Sequence, residues 1–310
     1  MPKVLKTTGL LFVLAFIFIQ FSCRHASGEL PESYYNFPVD TTVQIIQSFP
    51  SVVNESSGII YFNGNIWTHN DSGDDPIIYE MSIQSGKILK QVEFENASAR
   101  DWEDIAQDSQ FIYVSDMGNN AGKRQDLAIY KSEKSDILNE DGVSNATKLK
   151  ITYPDRTDFK PQAYKHNFDC EAILVIEDSL YIFSKNHLDK HCRFYTAGKN
   201  LPNQVLNLKD RFDTKGMVTG AAFNQKDNVL ALLGYNLDPK VGNFGPFVWL
   251  FWDYPNHDFF SGKSRRINMP VIGQSEGIAY WKEGKFLIST EKSRAMRGKL
   301  MVFDAKKWME

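Results

Sequence analysis

The stretch Glu276-Gly277-Ile278-Ala279, followed by Lys285-Phe286-Leu287-Ile288-Ser289-Thr290-Glu291-Lys292, decides the fold, because its pattern recurs through the chain. An acidic or hydroxyl residue and a small or acidic residue open a short apolar strand. A turn then leads to a second β-rich strand that ends in polar residues. The intervening Glu283-Gly284 pair is typical of a hairpin turn. Four earlier copies begin at Ser57, Glu103, Glu171 and Thr219.

Two further strand candidates follow the hairpins, for example Phe247–Trp252 and Arg265–Met269 after the fourth copy. Four strands per repeat form the blade of a β-propeller. The sequence therefore predicts an all-β fold, a β-propeller with five four-stranded blades. Six blades are the alternative, if the long interval between Glu103 and Glu171 contains a degenerate blade. A β-sandwich, or a pair of them, is disfavoured because sandwiches do not repeat a hairpin sequence.

The chain ends are predicted to close the ring. The last copy leaves only one further strand, Lys299–Asp304, and residues 42–48 can supply the missing fourth strand. Such closure removes free sheet edges. A short helical turn is also predicted within residues 132–142.

The N-terminal segment is predicted to direct export. Lys3 and Lys6 precede the apolar run Leu10–Phe21, which is too short for an ordinary transmembrane helix and ends just before Cys23. We interpret residues 1–23 as a lipoprotein-type signal peptide with lipid on Cys23, and simple secretion or a retained anchor as the alternatives. Residues 24–40 are then a polar tether, and residues 41–310 a single propeller domain.

These features predict a cell-envelope lipoprotein, facing the periplasm or the surface and held at the outer membrane by its lipid. The net charge of −3 gives no support to a nucleic-acid partner, which would need a basic face. Cys170 and Cys192 remain in the mature chain. Export permits a disulfide between them, but two buried free thiols are equally compatible with the sequence.

Strand geometry predicts an acidic rim. The first strand of each hairpin should line the central channel, and its start should meet the end of the second strand at one rim. Converging carboxylates need a neutralising proton or cation, and oxygen ligands favour calcium over zinc. His187-x-x-x-His191-Cys192 would suit zinc on a helix, but this segment is predicted to be a loop. The predicted metal ligands are Asp71, Asp101, Glu103, Asp116, Glu171 and Glu276.

Other polar residues near this rim are predicted to contact a small anionic ligand or a protein ligand. The candidate ligand-binding residues are His69, Asn70, Arg124, Lys185, Asn186, Tyr235 and Lys292. The pattern Gly-x-Ser-x-Gly occurs as Gly273-Gln274-Ser275-Glu276-Gly277. It opens a predicted inner strand and not the strand-to-helix turn of a nucleophile elbow, so it does not indicate a serine nucleophile. The catalytic residues, if the protein is an enzyme, are unknown; Glu103 and Glu171 are the candidates.

The Glu-Gly-Ile strand start, together with Asn70-Asp71-Ser72-Gly73 and Asp101-Trp102-Glu103-Asp104, resembles an uncharacterised group of bacterial propellers. That group is similar to the "esterase-like activity of phytase" and SdiA-regulated propellers, and more distantly to NHL-type and calcium-dependent phytase propellers. In the phytase-like relatives, rim carboxylates hold calcium ions that bind phosphate. The resemblance implies this role for Asp71, Glu103, Asp116, Glu171 and Glu276. Ser57 and Thr219 depart from it, because they stand where the other copies have glutamate.

Three functions are compatible with the sequence. The first is a non-catalytic propeller that binds a ligand, with calcium, at its acidic rim. The second is a metal-dependent hydrolase of phosphoesters or carboxylic esters, in which Glu103 or Glu171 acts as metal ligand or general base, with Arg124 or Lys185 on the anion. The third is a structural interaction module whose glutamates only pair with lysine and arginine.

Overall fold

The computed structural model describes residues 36–238, 243–270, 273–293 and 296–309. Its strands form five four-stranded antiparallel blades around a central axis, which confirms the predicted all-β propeller. The interval between Glu103 and Glu171 contains no sixth blade: it ends in a loop, residues 153–169, without a strand. Cys23 and the predicted signal peptide lie outside the described residues, so lipidation stays a prediction.

The first strand of the chain, β1 (Gln44–Ser48), belongs to the last blade. Blade 1 consists of β2 (Ser56–Phe62), β3 (Asn65–Asn70), β4 (Ile77–Met81) and β5 (Ile88–Glu95). Blade 2 consists of β6 (Asp104–Gln107), β7 (Phe111–Asp116), β8 (Ala128–Glu133) and β9 (Val143–Thr152). Helix α1 (Lys134–Leu138) connects β8 to β9, where the sequence predicts a helical turn.

The remaining blades follow the same order from the axis outward. Blade 3 consists of β10 (Cys170–Ile176), β11 (Ser179–Ser184), β12 (His191–Gly198) and, after the short β13 (Asn203–Val205), β14 (Asn207–Asp213). Blade 4 consists of β15 (Met217–Asn224), β16 (Val229–Asp238), β17 (Asn243–Trp252) and β18 (Lys263–Asn268). Blade 5 consists of β19 (Ser275–Lys282), β20 (Lys285–Thr290), β21 (Lys299–Asp304) and β1.

The two ends of the chain close the ring. Strand β1 runs antiparallel to β21, with Gln44 opposite Val302 and Ser48 opposite Lys299. Phe49, directly after β1, is buried against blades 5 and 1. The predicted role of residues 42–48 is therefore confirmed.

The inner strands pack tightly around the axis. Strands β2, β6, β10, β15 and β19 each contact the inner strands on both sides. At Gly58 an added Cβ would lie only 2.6 Å from the backbone nitrogen of Ile105, so a side chain would push the two blades apart. The buried carboxylate of Asp104 accepts backbone N–H groups from Ile105 and Ile173, each at 2.8 Å. This carboxylate ties blade 2 to blade 3 close to the axis.

Apolar side chains form a separate layer between each pair of neighbouring blades. Alternation along the strands produces these layers, because each strand presents successive side chains to opposite faces of its sheet. Cys170 and Cys192 are both buried free thiols in two different layers. Within the described residues, no helix has the length and apolar composition needed to cross a membrane.

Candidate functional site

A cavity of about 660 Å³ opens at one end of the propeller axis. Its wall combines carboxylates, lysines, amides and tyrosines from all five blades and their loops. The lining residues are Ser57, Asp71, Glu103, Asn120, Tyr164, Glu171, Lys185, His187, Lys190, Lys215, Gly216, Met217, Tyr235, Asn236, Gln274, Glu276 and Glu291. We call this space the axial cavity.

The ends of the hairpins bring the acidic residues to the axial cavity. Glu103 directly precedes β6, while Glu171 and Glu276 are the second residues of β10 and β19. Asp71 and Glu291 follow the last residues of β3 and β20. Because each inner strand starts where its partner ends, these carboxylates meet at one rim. With two further aspartates they form what we call the acidic cluster: Asp71, Asp101, Glu103, Asp169, Glu171, Glu276 and Glu291.

Glu103 lies at the centre of the acidic cluster. It shares one set of closely spaced carboxylates with Asp71 and Asp101, and a second set with Asp169 and Glu171. Within each set, one oxygen from every residue lies within 4.8 Å of the others. Either set has the spacing to hold a metal ion.

Several oxygens of the acidic cluster are buried without a hydrogen-bond donor. They include Oε1 of Glu103, Oε1 of Glu171 and both carboxylate oxygens of Glu276. Gln274 lies beside Glu276, but neither oxygen has a donor at hydrogen-bonding geometry. The three glutamates are 4%, 2% and 3% exposed, so water cannot fully replace the missing donors. An uncompensated buried carboxylate is unfavourable, and a bound cation would satisfy these oxygens.

The raised pKa values of the acidic cluster also show that its charge needs a proton or a cation. Burial, and then the charge of Asp101, raises the pKa of Asp71 to about 6. Burial and the charge of Asp169 raise the pKa of Asp101 to about 7. Burial raises the pKa of Glu171 to about 7, against the opposing effect of its lysine partner. Without a cation, several of these groups therefore hold protons near neutral pH.

Lys185 neutralises only part of this charge. Its Nζ lies 2.9 Å from Oε2 of Glu171, and both side chains are buried. Burial disfavours the ammonium, but Glu171 and the neighbouring glutamates hold the pKa of Lys185 well above its usual value. Tyr235 lies beside this lysine, which is 5.5 Å from the centre of the tyrosine ring. One buried lysine cannot balance seven carboxylates.

The predicted metal ligand Asp116 has a different environment. Its carboxylate accepts the backbone N–H of Asp101 at 3.0 Å and pairs with Arg124 at 2.9 Å. Arg124 also donates to the carbonyl of Gly118 at 2.8 Å. Asp116 and Arg124 do not line the axial cavity. They position the backbone of Asp101 and thereby support the acidic cluster from behind.

Four other predicted ligand-binding residues also lie outside the cavity lining. His69 is fully buried with its ring edge-on to Trp102, at 5.5 Å between centroids. Asn70 donates to the carbonyl of Val52 and to Asp74. Asn186 accepts from Ser184 and donates to Asp189. Lys292 is exposed. Of the predicted set, Lys185 and Tyr235 are the residues that the structure brings to the cavity.

Sequence reasoning missed one residue of the acidic cluster, Asp169, and several residues of the cavity lining. A sequence pattern could have indicated Asp169, because Asp169-Cys170-Glu171 repeats the Asp-x-Glu order of Asp101-Trp102-Glu103. Its carboxylate accepts the backbone N–H of Asn119 at 2.6 Å and contacts Nε2 of His187 at 2.8 Å. His187 and Tyr164 had no such signal, because they come from loops without a repeating pattern.

Comparisons with known proteins add no family. No protein-family model and no curated protein matches the chain. Solved structures match it at low identity. They include a PQQ-bound aldose sugar dehydrogenase from Streptomyces coelicolor, with 10% identity, a TM-score of 0.49, and coverage of 86% of this chain and 98% of that one. The Swd1 β-propeller domain from Myceliophteria thermophila matches with 10% identity, a TM-score of 0.43, and coverage of 84% and 99%. Apo AztD from Citrobacter koseri matches with 12% identity, a TM-score of 0.40, and coverage of 81% and 71%.

Proposed function

We propose that this protein is an exported, lipid-anchored β-propeller that binds calcium in the acidic cluster and uses the ion to hold a ligand in the axial cavity. The observation that carries the proposal is the set of buried carboxylate oxygens without donors on Glu103, Glu171 and Glu276, three residues that line the axial cavity. The export and the lipid anchor rest on the N-terminal sequence pattern alone.

The donor set favours calcium among the common divalent ions. Every candidate ligand in the two carboxylate sets is an oxygen, which suits a hard cation. Calcium takes 6–8 oxygens in a flexible arrangement. Three carboxylates leave coordination positions open even where one of them binds through both oxygens. Oxygens of a ligand in the axial cavity can fill those positions.

Calcium titration tests the proposal directly. We expect Ca²⁺ to bind the metal-stripped protein in a calorimetric titration, to raise its melting temperature, and to do so more strongly than Mg²⁺. Glu103→Gln should weaken calcium binding at least tenfold, because it removes a charged ligand common to both carboxylate sets.

Glu80→Gln is the matched control. Glu80 lies on β4 and accepts a hydrogen bond from Asn65, and it belongs neither to the acidic cluster nor to the cavity lining. This control should bind calcium like the unchanged protein. The proposal is wrong if EDTA leaves the melting temperature unchanged and no calcium binding is measured. A structural interaction module would then remain.

Metal-dependent hydrolysis is a second candidate, favoured by one specific feature. His187 lines the axial cavity beside Glu171 and is fixed by the buried Asp169. An oriented imidazole next to a cation site is a suitable acceptor for the proton of an attacking water. Calcium-dependent turnover of an aryl phosphate or aryl ester, lost in Glu103→Gln, would favour the hydrolase. Calcium binding without any such turnover would favour the non-catalytic binding protein.

A further inference from the structure

Tyr164 is the exposed aromatic residue among those that line the axial cavity, and its backbone is strained. Lys190 and Lys215 in the lining share the positive φ, so it is the aromatic ring that distinguishes Tyr164. Its side chain is 63% exposed, although it lines the cavity. Its backbone φ is +57°, in the left-handed region that is unfavourable for a residue with a Cβ. Such conformations persist where the surrounding structure enforces them, and they concentrate at ligand-binding sites. Burial of its own ring does not explain this conformation.

The surrounding loops hold Tyr164 in place. Its backbone N–H donates to the carbonyl of Asn120 at 3.0 Å, and that of Gln162 donates to Ala121 at 2.9 Å. The tyrosine ring meets His187 edge-on, at 5.2 Å between centroids. His187 is in turn fixed by Asp169. The ring therefore lies at the cavity wall in contact with His187, and most of its surface is accessible.

The charge of the cavity wall limits the ligand's charge. The lining contains five carboxylates, those of Asp71, Glu103, Glu171, Glu276 and Glu291, and three lysines. Asp101 and Asp169 of the acidic cluster lie next to this wall, and Lys215 already pairs with Asp213. The site therefore stays negatively charged when one divalent cation is bound, and this charge disfavours an anionic ligand. The neutral hydrogen-bonding groups Asn120, Asn236 and Gln274 complete the wall.

We infer that the ligand is a neutral carbohydrate, bound with neighbouring hydroxyls on the cation and the C–H face of a sugar ring against Tyr164. This inference rests on the proposed calcium site. Sugar hydroxyls are neutral oxygen ligands that can fill the open positions on calcium. An aromatic ring supplies an apolar surface, and amides supply hydrogen bonds that orient the ligand. The cavity volume of about 660 Å³ lies in the range of small-molecule sites.

A glycan array with neutral and acidic glycans, probed in Ca²⁺ and in EDTA, tests the ligand class. We expect binding to neutral glycans in Ca²⁺ and its loss in EDTA. Calorimetry with methyl glycosides of glucose, galactose, mannose and fucose then measures affinity. Tyr164→Ala should weaken sugar binding at least tenfold and leave calcium affinity unchanged. Tyr164→Phe should keep most of the sugar affinity.

Two variants separate ligand contact from a structural role. Leu188→Ala is the matched control, because Leu188 is 66% exposed next to His187 but does not line the axial cavity. It should bind sugar normally. Tyr164→Gly relieves the left-handed strain, so we expect an equal or higher melting temperature together with lost sugar binding. Sugar binding retained in both Tyr164→Ala and Tyr164→Gly would overturn the role of the ring.

The outcomes distinguish the ligand class from the calcium site. If calcium binds but only uronic acids or sugar phosphates are retained on the array and in solution, the ligand is an anion and the inference fails while the proposed function stands. The inference also fails if no glycan binds in Ca²⁺. If choline binds without calcium and no glycan binds in Ca²⁺, the cavity is a receptor for organic cations and the inference fails, whereas the calcium titration still decides the proposed function. If no calcium binds at all, both proposals fall.

Discussion

At the scale of single residues, Gly118 illustrates how a residue without functional groups can shape the acidic cluster. A Cβ at this position would lie 1.9 Å from Oε1 of Glu103 and 2.6 Å from Oδ2 of Asp101. Both are candidate ligand residues, so the absence of a side chain lets them approach each other. The carbonyl of Gly118 is held by Arg124. The backbone therefore cannot easily move aside.

We predict that Gly118→Ala weakens calcium binding at least tenfold. The added methyl group must displace one of the two carboxylates, and a metal site tolerates little displacement of its ligands. Calorimetric titration with Ca²⁺ measures the effect. Gly273→Ala is the control, because its nearest neighbour, Thr290, would lie 3.9 Å from the new Cβ. Equal calcium affinity in the two variants would contradict the prediction.

Some site residues could be predicted from sequence because strand geometry alone places them. Glu103, Glu171 and Glu276 occupy equivalent starts of inner strands, so their convergence follows from the propeller symmetry. Tyr164 and His187 could not be predicted, because loop conformation depends on contacts with distant backbone. The buried environment of His69 could not be predicted from the sequence either. The same strand-end position places it in the core against Trp102, which its polar type does not suggest.

At the scale of elements, the repeated hairpins predicted the blades because each hairpin carries its own turn chemistry. Outer strands depend more on contacts between blades, as β9 shows, which begins at Val143. Its first residues pair in parallel with the end of β5, a contact between blades that local sequence does not encode. Strand β13 was missed for the same reason, since it is a three-residue strand that pairs in parallel with β9.

The closing strand β1 offers a test of how the elements cooperate. We predict that a chain starting at residue 49 loses stability, with a clearly lower melting temperature and broader unfolding, because β21 then exposes an unpaired edge. A chain starting at residue 36 keeps β1 and is the control. It also keeps Asp40, which pairs with Lys307 near the other chain end. Circular dichroism melts compare the two. Identical melts would show that β1 contributes little to closure.

At the scale of the whole molecule, two kinds of buried group make stability depend on pH, and their effects have opposite directions. Stability should rise with pH because of His69 and fall with pH because of the acidic cluster. Burial lowers the pKa of His69 to about 4, below its usual value of 6.5. The unfolded chain then binds more protons than the native protein between these values. The contribution of His69 is therefore complete above pH 6.5 and is lost as the pH falls towards 4.

The buried carboxyl groups change the stability of the protein with pH in the opposite direction. Burial raises the pKa of Glu171 from 4.5 to about 7 and that of Glu291 to about 8. Here the native protein binds more protons than the unfolded chain, so stability is present below pH 4.5 and is lost as the pH rises through 7 to 8. A tenfold change in proton affinity on folding corresponds to about 1.4 kcal/mol of stability. In EDTA, above pH 6.5, these carboxyl groups should determine how stability changes with pH.

We therefore predict that the metal-free protein becomes less stable, by a few kcal/mol, between about pH 6.5 and pH 8, and that calcium reverses this trend. Calcium must displace the protons held by the acidic cluster, so its affinity should rise with pH over the same interval. Urea unfolding in EDTA and in saturating Ca²⁺ measures both effects. The difference between the two curves isolates the effect of calcium, because the buried imidazole of His69 is present in both measurements. A difference independent of pH would mean that the buried carboxylates are already ionised and paired without the ion.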